Sequence, residues 1–254
     1  MTIDEQSENV RFVHYTTQEF LQRNQEALLP DAKIEITRSC TAYLSIDGLA
    51  VGPCLSQVNY GNRLKEFVLL EYAAVHWGLH LNSLTGTDCV AAWSEITTEA
   101  QSLLLDDKRV SSMSQVLFMS KWRLLMPGAM IEEGERFFAS HWIGRFGLVP
   151  LLEQWIDKKY DIDQPDFSRR TPLSWAARDG HDAVVKQLLD TGKVDVDSKD
   201  NFGRTPRSIA AKNRNEAIVK LLLDTGKLGV DSNDIDGQTS PSRAAVNGHQ
   251  AIVN

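Results

Sequence analysis

Apolar residues in the C-terminal third of the chain recur at the spacing of a helix face: Val184, Val185, Leu188 and Leu189, then Ile218, Val219, Leu222 and Leu223. Positions i, i+1, i+4 and i+5 fall on one side of a helix of 3.6 residues per turn, so each set predicts a helix with one buried stripe. The second set is the first displaced by 34 positions, and more than the stripe obeys that displacement. Thr171, Thr205 and Thr239 share it, and so do the pairs Ala176-Ala177, Ala210-Ala211 and Ala244-Ala245. A fixed period of this kind sets the architecture. Each copy is one helical unit that cannot bury its apolar face alone, and stacked copies build a continuous core.

Within a copy, the residue types follow from backbone chemistry. Thr171 and Thr205 stand where a helix cap is needed, with Pro172 and Pro206 at the first helical position, where a missing N–H costs nothing. The alanine pairs let neighbouring helices approach closely. Gly180 and Gly248 suit a left-handed residue closing the first helix; Arg214 takes that place in the next copy, at a cost in strain. Copies span about 166–199 and 200–233, and a further one begins near Asp234 and stops inside its second helix at Asn254. A worn first copy lies at 137–165, where Gly147 to Ile156 aligns with Gly180 to Leu189.

This pattern resembles the ankyrin repeat, one residue longer than its usual form. The resemblance implies a stack of helix pairs that binds a protein on its concave face. Arg207 replaces Leu173, Pro241 stands at the same place in the last copy, and Arg243 replaces Trp175 and Ile209, so the last copy is expected to pack poorly. It also lacks a polar capping copy, and the sequence is expected to be a fragment or an eroded part of a longer array.

Upstream, Val10 to His14 reads as a short strand that needs partner strands, and Thr16 with Glu19 has capping-box spacing for a helix running to about Glu26, ended by Pro30. Over 31–136 helical stripes predominate. Ile36, Cys40, Tyr43 and Leu44 form one face; Gly48, Gly52 and Pro53 break it; Leu64, Phe67, Val68, Glu71, Tyr72, Val75 and Leu79 form another, with Trp77 beside it. Glu95–Leu105 and Met113–Trp122 are further helices, giving four or five in a connector that also holds the Pro127-Gly128 turn. The run Val10 to Leu21, with Pro30-Asp31-Ala32 and Cys40 to Ser45, is similar to a segment of large fungal proteins that join a NACHT-type nucleotide-switch domain to ankyrin repeats. In that family the segment ends a winged-helix module of the GPI inositol-deacylase-like type.

Composition narrows the function. A net charge of −7 and pI of about 5.4 argue against a binder of nucleic-acid backbones, and the strand run carries a single arginine, Arg11. No apolar run reaches the length of a membrane span. Cys40, Cys54 and Cys89 form no CxxC pair and read as reduced thiols of a cytosolic or nuclear protein, with a cytoplasmic location expected.

Motifs that resemble catalytic ones fail on context. Asp190-Thr191-Gly192 and Asp224-Thr225-Gly226 look like protease loops, but each follows a leucine-rich helix and the two stack one repeat apart. His76 and His80 have zinc-ligand spacing, yet Trp77 stands where the HExxH motif needs glutamate. Gly192-Lys193 and Gly226-Lys227 lack the remainder of a phosphate loop, and His14 has no nucleophile beside it.

The sequence therefore predicts a mainly α protein: an ankyrin-repeat α-solenoid (137–254, about three and a half repeats, the last truncated), preceded by a helical connector (31–136) and a small winged-helix remnant (1–30). The expected function is protein–protein recognition at the sensing or regulatory end of a NACHT-type signalling protein, without catalysis, cofactor, metal, nucleic acid or membrane. The candidate contact residues are the loop tips Phe167, Ser168, Arg169, Asn201, Phe202, Ile235 and Asp236 and the helix ends Arg178, Asp179, Lys212 and Asn213. The competing readings are a truncated, degraded family member without independent activity and a hydrolase hidden in 31–136.

Overall fold

A computed structural model describes residues 2–4, 9–11, 31–84, 90–122, 137–226 and 237. Its described part is helical apart from a two-stranded antiparallel pair, β1 (Thr2–Asp4) and β2 (Asn9–Arg11), in which Ile3 faces Val10. Of the strand expected at Val10–His14, Val10 and Arg11 lie in β2, paired with the polar lead of the chain, and Phe12 to His14 lie outside the described residues. The expected helix at Thr16–Glu26, the end of the third repeat from 227 and the fourth repeat except residue 237 lie outside the described residues.

Five helices follow: α1 (Ala32–Leu44), α2 (Gln57–Glu66), α3 (Leu70–Ser83), α4 (Val90–Leu104) and α5 (Asp107–Trp122). The long stripe expected from Leu64 to Leu79 is not one helix, since the chain turns at Phe67 and restarts at Leu70. Nor is that stripe the buried face. Val68, Tyr72 and Leu79 are exposed, whereas Leu70, Ala73, Ala74, Trp77 and Leu81 are buried. Apolar residues surround α3, so sequence periodicity offers two faces. Packing selects the one with Ala73, Ala74 and Gly78, because small residues let another backbone come close.

Three helix pairs complete the described chain: α6 (Ala139–Phe146) with α7 (Val149–Asp157), α8 (Pro172–Asp179) with α9 (Asp182–Asp190), and α10 (Pro206–Lys212) with α11 (Glu216–Asp224). The first helices of each pair stack in the order α6, α8, α10 and the second helices in the order α7, α9, α11. The expected caps are present: Thr171 Oγ1 accepts from the Ser174 N–H and Thr205 Oγ1 from the Ser208 N–H, both at 3.3 Å. In α6 Phe138 occupies the cap position without a hydroxyl, and its own N–H donates to His141 Nδ1 at 2.9 Å. The left-handed residues that follow the first helices of the pairs are Gly147 (φ 71), Gly180 (φ 85) and, in a non-glycine residue, Arg214 (φ 66). Both Asp-Thr-Gly motifs close helices: Thr191 and Thr225 donate back to the carbonyls of Leu188 (2.6 Å) and Leu222 (2.7 Å). Arg207 sits at the position of Leu173 and is buried.

The connector continues the stack. Helix α3 lies against α6, and α4 against α7. The joint is aromatic, with the Trp77 ring 6.2 Å from Trp142 and 5.6 Å, edge-on, from Phe146. Two glycines allow this closeness. A Cβ on Gly78 would come 2.0 Å from Phe146 Cδ2, and one on Gly144 would come 2.5 Å from the Pro172 carbonyl oxygen.

Candidate functional site

The loop tips that precede α8 and α10 are built by two aspartates one period apart. Asp166 Oδ1 accepts from the N–H groups of Ser168 and Arg170, both at 2.8 Å, and Asp200 Oδ1 from those of Phe202 and Arg204, both at 2.9 Å. Each carboxylate thus folds its own turn. The two tips are joined: the Asn201 N–H donates to the Ser168 carbonyl at 2.9 Å. In the first tip Arg169 adopts φ 60 where the second has Gly203 at φ 71.

Between these tips and the first helices lies a groove of about 650 Å³. Its floor and walls are Ser174, Trp175 and Arg178 of α8, Ile209 and Lys212 of α10, Asn213, Arg145 of α6 and the tip residues Phe167, Ser168, Arg170, Asn201, Phe202 and Arg204. Leu117 and Phe118 of α5 close one end. Phe118 meets the Phe167 ring edge-on at 4.7 Å and Phe137 at 5.3 Å, and Phe137 in turn meets Trp175 at 5.3 Å. The connector therefore forms a wall of the concave face.

Trp175 is nearly inaccessible, and three guanidinium groups cover its ring: Arg145 and Arg170 at 5.3 Å and Arg178 at 4.9 Å. Its indole N–H donates to Asp166 Oδ2 at 3.0 Å. Arg204 lies over the Phe202 ring at 4.7 Å. Stacked arginine on an aromatic face is an attractive arrangement that also holds the guanidinium plane in a fixed orientation. Burial pulls Arg145 and Arg170 below the ordinary arginine range, with partial compensation from Asp179 for the first and from Asp166 and Asp200 for the second. Burial pushes Asp166 up. For Asp200 burial acts in the same direction but is outweighed by the Arg204 hydrogen bonds, so its carboxyl is held below the usual range.

The structure brings seven of the expected contact residues into this groove: Phe167, Ser168, Arg178, Asn201, Phe202, Lys212 and Asn213. It does not bring Arg169 or Asp179 there. Arg169 points its backbone strain at the turn apex and is exposed; Asp179 lies 3.7 Å from both Arg145 and Arg178 as their carboxylate partner. Ile235 and Asp236 lie outside the described residues. Sequence reasoning missed Arg145, Arg170, Arg204, Trp175 and the α5 wall. The arginines carried a signal, since Arg170 and Arg204 obey the same displacement as the capping threonines; Leu117 and Phe118 carried none.

Among the described residues the histidines do not come together in one cluster. His76 stacks on Tyr72 at 4.5 Å, and Tyr72 Oη lies 2.8 Å from His80 Nε2 on the exposed side of α3. His141 is buried with both ring nitrogens on backbone groups, those of Phe138 and Arg170. Among the described residues no group of three or more His, Cys, Asp or Glu side chains comes together as a metal site. No described helix is long and apolar enough to cross a membrane.

With this geometry in view, comparison with known families adds one finding: residues 140–236 and 184–254 match the family model of ankyrin repeats, in three copies. The helical stack is therefore an ankyrin-repeat solenoid. No curated protein matches the chain. Ankyrin repeats are typically non-catalytic interaction modules, and their presence suggests a protein–protein interaction module in this part of the chain.

Proposed function

We propose that this chain recognises a protein partner along the concave face of its ankyrin repeats, and that it is the sensing or regulatory part of a NACHT-type signalling protein. The groove lined by α5, α6, α8, α10 and two tied loop tips carries the first half of this reading. Its walls are fixed by Asp166, Asp200 and the tip-to-tip hydrogen bond, so a partner would bind with little ordering of the receptor. Phe202, 47% exposed at its rim, supplies the apolar anchor that such interfaces use.

The test is covalent capture by the full chain. A photo-crosslinking phenylalanine analogue placed at Phe202 should give a discrete adduct in cell extract, and the same group at Lys186, on the exposed outer side of α9, should not. Equal capture from both positions, or none from 202, rejects the concave-face reading.

The second half rests on the similarity of Val10 to Leu21 to the NACHT–ankyrin family and on the order of connector and repeats. A piece from the sensing end of such a protein holds no nucleotide itself. Titration with ATP and magnesium should give no heat of binding, and a measurable affinity contradicts this placement.

A further inference from the structure

The concave groove carries two cationic columns generated by the repeat. Arg145, Arg178 and Lys212 stand in the last turns of α6, α8 and α10, one below the other, and Arg170 and Arg204 stand in register at the loop tips. The chain as a whole is acidic, at −7, so this is a local concentration of positive charge.

Carboxylates in the groove do not balance it. Asp179 is shared by Arg145 and Arg178, 3.7 Å from each, and Asp200 is shared by Arg204 and, at 3.6 Å, Arg170. Asp166 is occupied by two backbone N–H groups and the Trp175 indole. Three carboxylates thus face four guanidinium groups, three of which are crowded over one indole ring. Like charges held this close are costly, and an incoming anion removes that cost. An arginine held over an aromatic ring can still turn edge N–H groups toward a carboxylate and grip it in a fork.

Spacing defines the ligand further. Packed helices lie about 8–10 Å apart, and an extended chain advances about 3.3 Å per residue. One repeat therefore corresponds to about three residues of a peptide lying along the groove. We propose that the groove holds an extended acidic segment of a partner protein, with carboxylates at every third residue meeting Arg145, Arg178 and Lys212 in turn, and an apolar side chain against Phe167 and Phe202. This assignment rests on the concave face being the binding face. A polynucleotide fits less well, because its charge extends beyond the five cations into an acidic surface.

The test uses the full chain and three fluorescein-labelled 13-residue peptides of matched hydropathy: glutamate at every third position, the same glutamates in one run, and glutamine in their place. Anisotropy in low salt should rank them in that order, with the first bound roughly tenfold more tightly than the third and weakening as salt rises. Arg178→Gln and Lys212→Gln should each reduce the affinity for the first peptide about fivefold, and Lys186→Gln should leave it unchanged. Melting curves of the three variants establish that each is folded. Equal binding of the glutamine peptide overturns charge selection, equal binding of the run peptide overturns the spacing, and tighter binding of a single-stranded oligonucleotide overturns the peptide assignment. If charge selection fails while crosslinking from position 202 persists, the concave-face reading stands and this inference alone falls.

Discussion

His181 Nε2 lies 2.9 Å from the carbonyl oxygen of Arg145, so the ring donates to a helix end in the preceding repeat. One period later Asn215 does the same work: its Nδ2 donates to the carbonyls of Ala177 (2.8 Å) and Arg178 (3.1 Å). Each side chain passes over the left-handed glycine that closes the earlier helix, and a Cβ on Gly147 would come 2.5 Å from His181 Nδ1. These are fasteners between repeats, satisfying helix-terminal carbonyls that would otherwise lack partners. His181→Ala should cost about 1–2 kcal/mol in urea denaturation, whereas His181→Asn should retain most of the stability, as the next repeat does with asparagine. Equal losses in the two variants would show that ring packing, and not the hydrogen bond, fastens the repeats.

Arg169 and Arg214 hold positive φ where neighbouring repeats have Gly203 and Gly180. A side chain there crowds the following carbonyl. Arg169→Gly and Arg214→Gly should each stabilise the protein by roughly 1 kcal/mol, read as a higher Tm, and their effects should add because they lie in different turns. Unchanged or lowered melting temperatures would place the strain elsewhere.

These two arginines also show what the sequence makes legible. Displacement by one period predicts Thr171 and Thr205 as caps, Gly180 as a left-handed closure and Arg214 as its strained substitute, because each depends on backbone chemistry within one repeat. The same logic reaches most of the groove, since loop tips and helix ends recur together. It does not reach Phe118, which is distant in sequence and arrives only because α3 and α4 extend the stack and return α5 across its concave side. Nor does it choose between the two apolar faces of α3. That choice depends on what Gly78 and Ala74 allow a neighbour to do, which no single-helix periodicity contains. The worn first repeat is a middle case: its alignment is visible from Gly147 onward, but the bond from the Phe138 N–H to His141, in a repeat without a hydroxyl cap, is seen only in three dimensions.

The joint at Gly78 gives a direct measure of how firmly connector and repeats are coupled. A methyl group there meets the Phe146 ring inside van der Waals contact. Gly78→Ala should cost about 1–3 kcal/mol by overpacking, despite alanine's better helix propensity. Phe146→Leu in the same chain should recover part of that loss. A non-additive double-mutant cycle confirms the contact, and simple additivity denies it.

A buried histidine and a half-buried aspartate oppose each other in mildly acidic solution. Burial pulls His141 from its ordinary 6.5 down to about 4, even though its backbone hydrogen bonds act in the opposite direction. Between those values the unfolded chain takes the proton more readily, so this group removes stability, about 3 kcal/mol in all, as pH falls from 6.5 to 4. Asp163 behaves inversely. Burial, with Asp195 and Asp161 nearby, raises its carboxyl from 3.8 to about 6, against the Asp195 N–H that it accepts at 2.9 Å. Here the folded state holds the proton more tightly, so stability is lost as pH rises from about 4 to 6. The two slopes largely cancel in the native protein. Asp163→Asn keeps an acceptor for the Asp195 N–H and removes the charge. The variant should be more stable than the parent by about 1–3 kcal/mol at pH 7 and equal to it near pH 4, and it should lose stability steeply on acidification where the parent does not. Urea midpoints at half-unit pH intervals measure this. A difference between the two proteins that is constant across the range removes Asp163 as the opposing group.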